Sequence, residues 1–418
     1  MTSAETEGAR PSWSFHPDRD TIVAEPHARP SIPVGPRDTL LHLGLVCTDA
    51  AHARLFDILG IDPTVRNTRH WMKQSGGFRL KLEQHTEFMS ITLLAPDAGA
   101  MDAASGLLAK IAGTEGLDAI VLTRVRMSRL GEAAGPGDLP TGRVVGGIMR
   151  GGMEVRTSFV PDEDGFITYF VRMPEGTPEE TGRRVQRLVE METYRLFCLL
   201  GLPLARRTGE SLASDEARLI EIVSSMGSDS LDDDGTLFEG LSSLLQTSNA
   251  LRASTRFRFS ASLAYFTLVQ QRLTSLEETE LEDFQTISGF VRSRLDPSMA
   301  TIESTAARQK VLIDDLSQAL SLLRTRIDLA LNRDNQSVLK SLDDRNRKQV
   351  MIAQTVEGLS AVAITYYAVG LLSYILKAAA PLAPVALPHS TLVAISVPFV
   401  LAGVWIALHR LRGRWQEK

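Results

Sequence analysis

The polar residues best suited to chemistry fall in two places. His16, Arg19, Glu25, His27 and Arg29 crowd the start of the chain, and His85 with Glu87 occupies a short polar turn between two apolar runs. Histidine and glutamate together are the material of metal sites and of general acid–base pairs. Glu25 and His27 stand two apart on a proline-stiffened extended segment, and no second local pair completes a coordination sphere. The reading favoured is therefore a charged segment, salt-bridged to the body, that holds the N-terminal region down. A small-ligand or anion pocket and a metal or catalytic site built on His27 and His85 are the sharper alternatives.

Other motifs fail on their own geometry. The run Asp229, Asp232, Asp233, Asp234, Gly235 resembles a calcium loop, yet placing Gly235 sixth puts Ser230 first and Leu241 twelfth, where carboxylates are required. A solvated acidic loop is expected. GGIMRGG (146–152) lacks the following Lys-Ser/Thr of a phosphate-cradling loop, and its glycines read as strand irregularities or close backbone approaches. No Gly-x-Ser-x-Gly elbow is present, and Cys47 and Cys198 sit singly in apolar stretches with no Cys-x-x-Cys or His-x-x-x-His pair. These are expected to be packed, reduced thiols, and no enzyme activity, cofactor or metal is expected.

The strongest signal lies near the end. GLSAVAITYYAVGLLSYIL (358–376) and TLVAISVPFVLAGVWIAL (391–408) carry no charge. Each is long enough for a helix to cross about 30 Å of hydrocarbon. A C-terminal transmembrane hairpin is expected, with spans at 358–377 and 391–409 joined by a short external loop at 378–390. Arg345, Arg347 and Lys348 precede the first span, and Arg410, Arg412 and Arg414 follow the second within a basic tail at 410–418. The excess of cations on these flanks predicts a multi-pass inner-membrane protein with both termini cytoplasmic. MTSAETEGARPSW has no apolar core, so a cleaved secretory signal is not expected. Net charge of −5 offers no field for phosphates, so nucleic acid is not an expected partner, whereas a lipid bilayer is.

Inside the first span, Thr365, Tyr366, Tyr367, Ser373 and Tyr374 give a polar side suited to interhelical hydrogen bonding or, alternatively, to lining a pore. No Asp, Glu, Lys or Arg interrupts either span, which favours anchor or assembly surface over ion path.

The elements that must hold these residues sum to an α+β protein. Residues 1–38 are proline-rich and expected to be extended without helix. Residues 39–175 alternate with period two: LLHLGLVC, FRLKLEQ with EFMSITLLA, DAIVLTRVRM, and a hairpin through PDEDG. They predict a mostly antiparallel sheet, with covering helices at DAAHARLFDILG and GAMDAASGLLAKIAG. At Thr177 the period becomes helical: Thr177 caps, Pro178 is first, and Glu179 and Glu180 suit the positive helix end. That helix should stop at Gly201 and Pro203. A helical domain fills 176–296, with helices at SDEARLIEIVSSMG, LFEGLSSLLQTSNALRAS, FSASLAYFTLVQQRLTSLEE and DFQTISGFVRSRL.

From 297 to 357 a long helix or stalk leads into the first span. Its apolar positions recur at Leu312, Leu316, Leu320, Leu323, Ile327 and Leu331, then Val338, Leu342, Ile352, Val356 and Leu359. Asn335, Arg345 and Gln349 interrupt this seam, and such polar layers fix coiled-coil register or oligomer state. The seam either packs on helices of its own chain or pairs copies into a homo-oligomer.

The blocks HPDRDTIVAEPHARP, EQHTEFMSITLLAP, GRRVQRLVEMETYRLFCLLGLPLA, LLRTRIDLALNRDNQSVLKSL and TVEGLSAVAITYYAVGLLSYILKA resemble successive blocks of domain-of-unknown-function family 3422. The resemblance implies a membrane-anchored bacterial protein and supplies no activity or site residue. In layout alone the chain is similar to CorA-type cation channels, but GLLSYILKAAAP lacks their Gly-Met-Asn and the loop has no carboxylate. The expectation is a scaffold, sensor or assembly module held to the membrane, with a CorA-like channel or transporter as the alternative and a metal-dependent enzyme as a third.

Overall fold

The computed structural model describes residues 14–24, 30–62, 69–132, 142–226, 234–379 and 388–415. Two units emerge, one from Met1–Ser228 with Glu239–Leu320, the other from Asp229–Phe238 with Ser321–Lys418. The expected α+β class holds.

In the first unit the strands are β1 (Thr39–Cys47), β2 (His70–Ser75), β3 (Phe78–Gln84), β4 (Met89–Ala95), β5 (Leu117–Arg129), β6 (Val145–Met149), β7 (Met153–Pro161), β8 (Ile167–Met173) and β9 (Thr279–Glu280). Among the described residues these form one sheet in the order β2-β3-β4-β1-β5-β8-β7-β6-β9. Every named pairing is antiparallel except β5 with β8. The expected hairpins β3–β4 and β7–β8 form, and GGIMRGG becomes the β6–β7 hairpin. Its turn glycines Gly151 and Gly152 take φ of 76° and 77°, which side chains disfavour.

Helices α2 (Asp49–Leu59) and α3 (Ala98–Ala112) arise where expected, capped by Thr48 and Asp97. They bury Leu55, Phe56 and Ile111 against Leu41, Leu43 and Leu45 of β1 and the matching leucines of β3 and β4. The opposite face is covered by α4 (Pro178–Leu199), whose Thr177 cap, Pro178 and acidic first turn are as expected. Val185, Leu188 and Phe197 meet Val121, Val125, Tyr169 and Val171 there. Phe259, Val269 and Leu273 of α6 (Asp234–Leu276) and Val291 and Ile302 of α7 (Ile287–Ala379) complete this core.

Three expectations need correction. A short helix, α1 (Arg19–Ala24), forms where only extended chain was expected, because DRDTIVA is free of proline between Pro17 and Pro26. After α4 the chain resumes at once as α5 (Gly201–Ser225), since Pro203 falls in its first turn, where a missing N–H costs nothing. The two helices expected between Leu237 and Glu278 are one, because TRFR contains no breaker and buried Thr255 returns its hydroxyl to Leu251 O at 3.0 Å. The following helix is likewise the first part of α7, which continues through Pro297.

In the second unit α7 remains helical to Ala379, and α8 covers His389–Trp415. Arg326 pairs with Asp234 at 3.1 Å, and Leu323 is buried. The seam changes character further on: Leu331, Val338, Leu342, Ile352, Val356 and Leu359 are all more than half exposed. Asn335, Arg345 and Gln349 are exposed with them.

Candidate functional site

Strand register sets a polar row beneath α4. Lys81 of β3 stands opposite Thr92 of β4, Thr92 opposite His42 of β1, and His42 opposite Thr123 of β5. All four are buried, at a level of the sheet where apolar residues would be expected. One step along, Glu83 faces Ser90 and Ser90 faces Gly44. A Cβ on Gly44 would lie 3.0 Å from the Phe197 ring and 2.8 Å from a Val121 methyl, so only glycine lets α4 approach here.

His42 is fixed from both sides. Its Nδ1 lies 2.8 Å from Thr92 Oγ1 and its Nε2 3.1 Å from Thr193 Oγ1, which descends from α4. Thr193 spends its proton on Val189 O at 2.8 Å. It therefore accepts from Nε2–H of His42, and Thr92 donates to Nδ1. Burial, reinforced by the charges of His85 and Lys81, drives the imidazole pKa down to about 3. His42 is neutral at any physiological pH and is too weak a base for proton transfer there. Lys81 meets Glu83 at 3.1 Å, both nearly buried, so the positive charge in the row is compensated.

The expected pair His85 and Glu87 occupies the outer end of this row, in the β3–β4 turn. His85 stacks on Phe88 with ring centres 4.1 Å apart, and Phe88 stacks on Phe197 at 4.0 Å. The His85 Nε2 lies 3.4 Å from Ser90 Oγ. Glu87 receives both guanidinium nitrogens of Arg258 from α6. Tyr265, on the same helix, has its hydroxyl pKa raised by burial and by the Glu87 carboxylate. The turn is thus clamped onto α6.

Cavities follow the row. An outer one of about 510 Å³ is lined by His85, Arg69, Thr86, Tyr194 and Tyr265. Beyond His85, a space of about 20 Å³ touches His85, Ser90, Thr193 and His42, and one of about 40 Å³ touches His42, Lys81, Thr92 and Gln186. Each inner space suits about one water held by polar partners. Hydrogen-bonding side chains, a compensated ion pair and aromatic rings line these spaces.

A second buried polar group stiffens the same interface. Glu192 of α4 is wholly buried, accepts from the Tyr169 hydroxyl at 2.8 Å, and is held by Arg195 through Nε at 2.7 Å and Nη2 at 2.6 Å. Burial disfavours the Arg195 charge, yet Glu192 outweighs it and the guanidinium pKa rises. Burial also lifts the Cys198 thiol to about 12, which keeps it protonated.

Of the other expected site residues, some lie on exposed surface and some outside the described residues. His16 takes a bond from Asp18 N at 3.2 Å, and Arg19 lies over the Phe15 ring at 4.2 Å, so both contact their chain neighbours on an exposed surface. Glu25, His27 and Arg29 lie outside the described residues, as do most of the acidic run and the loop at 380–387. Among the described residues no three His, Cys, Asp or Glu side chains stand together as metal ligands. Thr365 returns its hydroxyl to Ala361 O at 2.7 Å, while Tyr366, Tyr367 and Tyr374 are exposed. Sequence reasoning passed over His42, Lys81 and Glu192. Their signal was a polar residue at a position that periodicity assigns to the core, as Glu192 follows Val185, Leu188 and Val189 on one helix stripe.

A family model described as "Protein of unknown function (DUF3422)" matches residues 14–415. No curated protein matches the chain.

Proposed function

Because the chain belongs to the DUF3422 family, for which no activity is described, we propose its role from its own surfaces: a membrane-anchored recognition or assembly protein. The observation that carries this reading is the exposure of its apolar helices. The apolar window in α7 has mean hydropathy 1.7 and is 6% buried, and that in α8 has mean hydropathy 2.0 and is 0% buried. A soluble core helix of this composition would be covered by its own chain. Each Leu, Ile or Phe left in water forgoes about 1.5–3 kcal/mol, so a bilayer is the medium that satisfies both helices. The flanking arginines support an inner-membrane hairpin with both termini cytoplasmic and a short external loop. The sheet body would then recognise a ligand or partner through the His85 cavity.

Self-association is favoured by one further pattern. From Leu331 the seam runs 335, 338, 342, 345, 349, 352, 356 and 359, an unbroken alternation of four and three. That is the heptad seam of a coiled coil, with Asn335 and Gln349 at one kind of core position and Arg345 at the other. Copies sharing one bilayer orientation would pair in parallel, placing Asn335 against Asn335 and so fixing register. A channel is less well supported, because neither apolar stretch carries an Asp, Glu, Lys or Arg.

Alkaline extraction of membranes from cells making the full chain tests the anchor. The protein should stay in the pellet and leave it only with detergent. Recovery in the high-speed supernatant without detergent defeats the proposal. The mass of the detergent-solubilised protein should be that of a dimer or larger, and a strict monomer removes the self-association.

A further inference from the structure

The apolar seam of α7 does not end at Leu359. The next positions in the same alternation of four and three are Ala363, Tyr366 and Gly370, all within the one helix. The seam therefore runs, without a break in phase, to the middle of the first apolar stretch. The helix has two distinct sides there. Ala361, Thr365, Val369, Leu372 and Leu376 form one line and are buried or half-buried. Leu359, Ala363 and Tyr366 lie on another side and are exposed, Tyr366 at 76%.

Tyr366 and Tyr367 are misplaced as residues facing lipid. Tyrosines in that role gather at the two membrane surfaces, where the hydroxyl reaches water. At 1.5 Å per residue, Tyr366 stands about 14 Å along the axis from Glu357, and Tyr367 about 15 Å from Lys377. Both are thus close to the midplane of a span. Their rings meet edge to face with centres 5.8 Å apart, and neither hydroxyl has a hydrogen-bond partner among the described residues. A hydroxyl left unpaired in hydrocarbon forgoes the bonds that water would give it, and acyl chains offer no acceptor. One turn further on, the same seam has an opening. A Cβ on Gly370 would meet nothing within 4 Å, and a glycine at such a position lets a second helix come close.

We propose that this side of the first span is an intramembrane contact with the same side of a second copy. The inference rests on the self-association read from the stalk seam and extends it into the bilayer. In the packing of parallel helices, Tyr366 enters a hole bounded by the partner's Ala363, the partner's Tyr366, the partner's Tyr367 and the partner's Gly370. Two of those walls are small and leave room for the ring. The other two bring a hydroxyl within reach of a hydroxyl. A large residue and an opening one turn apart on a single line are self-complementary, which a two-fold contact between copies requires. Continuity of phase with the stalk points to the same occupant along the whole seam.

The test uses the full chain in membranes. Ala363→Cys and Gly370→Cys should each form disulfides between copies on mild oxidation, whereas Ala361→Cys and Leu372→Cys, on the other line, should not. Wild type, which carries Cys47 and Cys198, is the control for the native thiols. Pairing is then read by energy transfer between labelled copies in phosphatidylcholine liposomes. Gly370→Leu should weaken it about 30-fold, because the opening is filled. Tyr366→Phe should weaken it about threefold through loss of the hydroxyl, with an unchanged melting temperature. If wild type pairs but cross-links at neither 363 nor 370, or pairs no better than both variants, the span contact is overturned and the stalk pairing stands. A wild type that is monomeric in liposomes overturns both.

Discussion

Helix α4 and the stretch of α7 from Leu331 to Leu359 carry the same kind of sequence, an apolar stripe broken by polar residues, and meet opposite environments. In α4 the stripe is buried, and its interruption, Glu192, is satisfied by Tyr169 and Arg195. In α7 the stripe is exposed, and Asn335, Arg345 and Gln349 are exposed with it. Periodicity reports that a helix has a face to cover and is silent about what covers it. A polar break means a buried network in one case and, in the other, an exposed row that the proposed pairing of copies would use to fix register.

That contrast can be broken most severely at Glu192. Glu192→Gln leaves the largely buried Arg195 guanidinium without its counter-charge and should cost about 3–5 kcal/mol of stability, read as a lowered denaturant midpoint of the sheet body. Recovery of stability in Glu192→Leu combined with Arg195→Met would show that the cost comes from the orphaned charge. A loss below about 1 kcal/mol for Glu192→Gln would mean that water reaches the group, and the network would no longer count as buried.

A graded effect is expected at His42. Its folded pKa, depressed to about 3, lies below the unfolded value near 6.5, so the unfolded state binds the extra proton between them. Its contribution is complete above about pH 6.5 and is lost as pH falls toward about 3, at up to about 1.4 kcal/mol per pH unit. His42→Gln keeps a donor and an acceptor without titrating, so its stability between pH 6 and 4 should fall less steeply than that of the wild type. Parallel pH profiles of the two proteins would refute the assignment.

The smallest effect on folding belongs to the stalk. Leu342→Ser removes an exposed side chain and should shift the stability of the sheet body by no more than about 0.5 kcal/mol. The same substitution should shift detergent-solubilised protein from dimer or larger toward monomer, read by light scattering. A large fall in the melting temperature of the body with no change in mass would show that the seam packs within its own chain.

The legible parts of the fold were those fixed by neighbours in sequence. Thr177, Pro178 and Glu179 announced α4, the polar turn at His85–Glu87 announced β3–β4, and PDEDG announced β7–β8. The candidate site was legible only where a polar residue broke an apolar run in plain view. The sequence singles out His85 and Glu87, because a histidine in a turn is conspicuous, and pairs them with the N-terminal cluster. The structure sets them beside Tyr194, Arg258 and Tyr265, while Glu25, His27 and Arg29 lie outside the described residues. His42, Lys81 and Thr92 become one row only through strand register, which brings together residues far apart along the chain. The sequence reading divided α6 into two helices on either side of TRFR, a stretch with no Gly or Pro to end a helix.

By itself the sequence determined the local grammar: where helices start, which strands turn back on each other, and that two stretches near the end shun water. Those follow from backbone preference and apolar content, which act over a few residues. The tertiary structure alone decided which polar groups are buried and balanced. It did so because charge and desolvation act through space, and sheet register sets side by side residues that stand far apart along the chain.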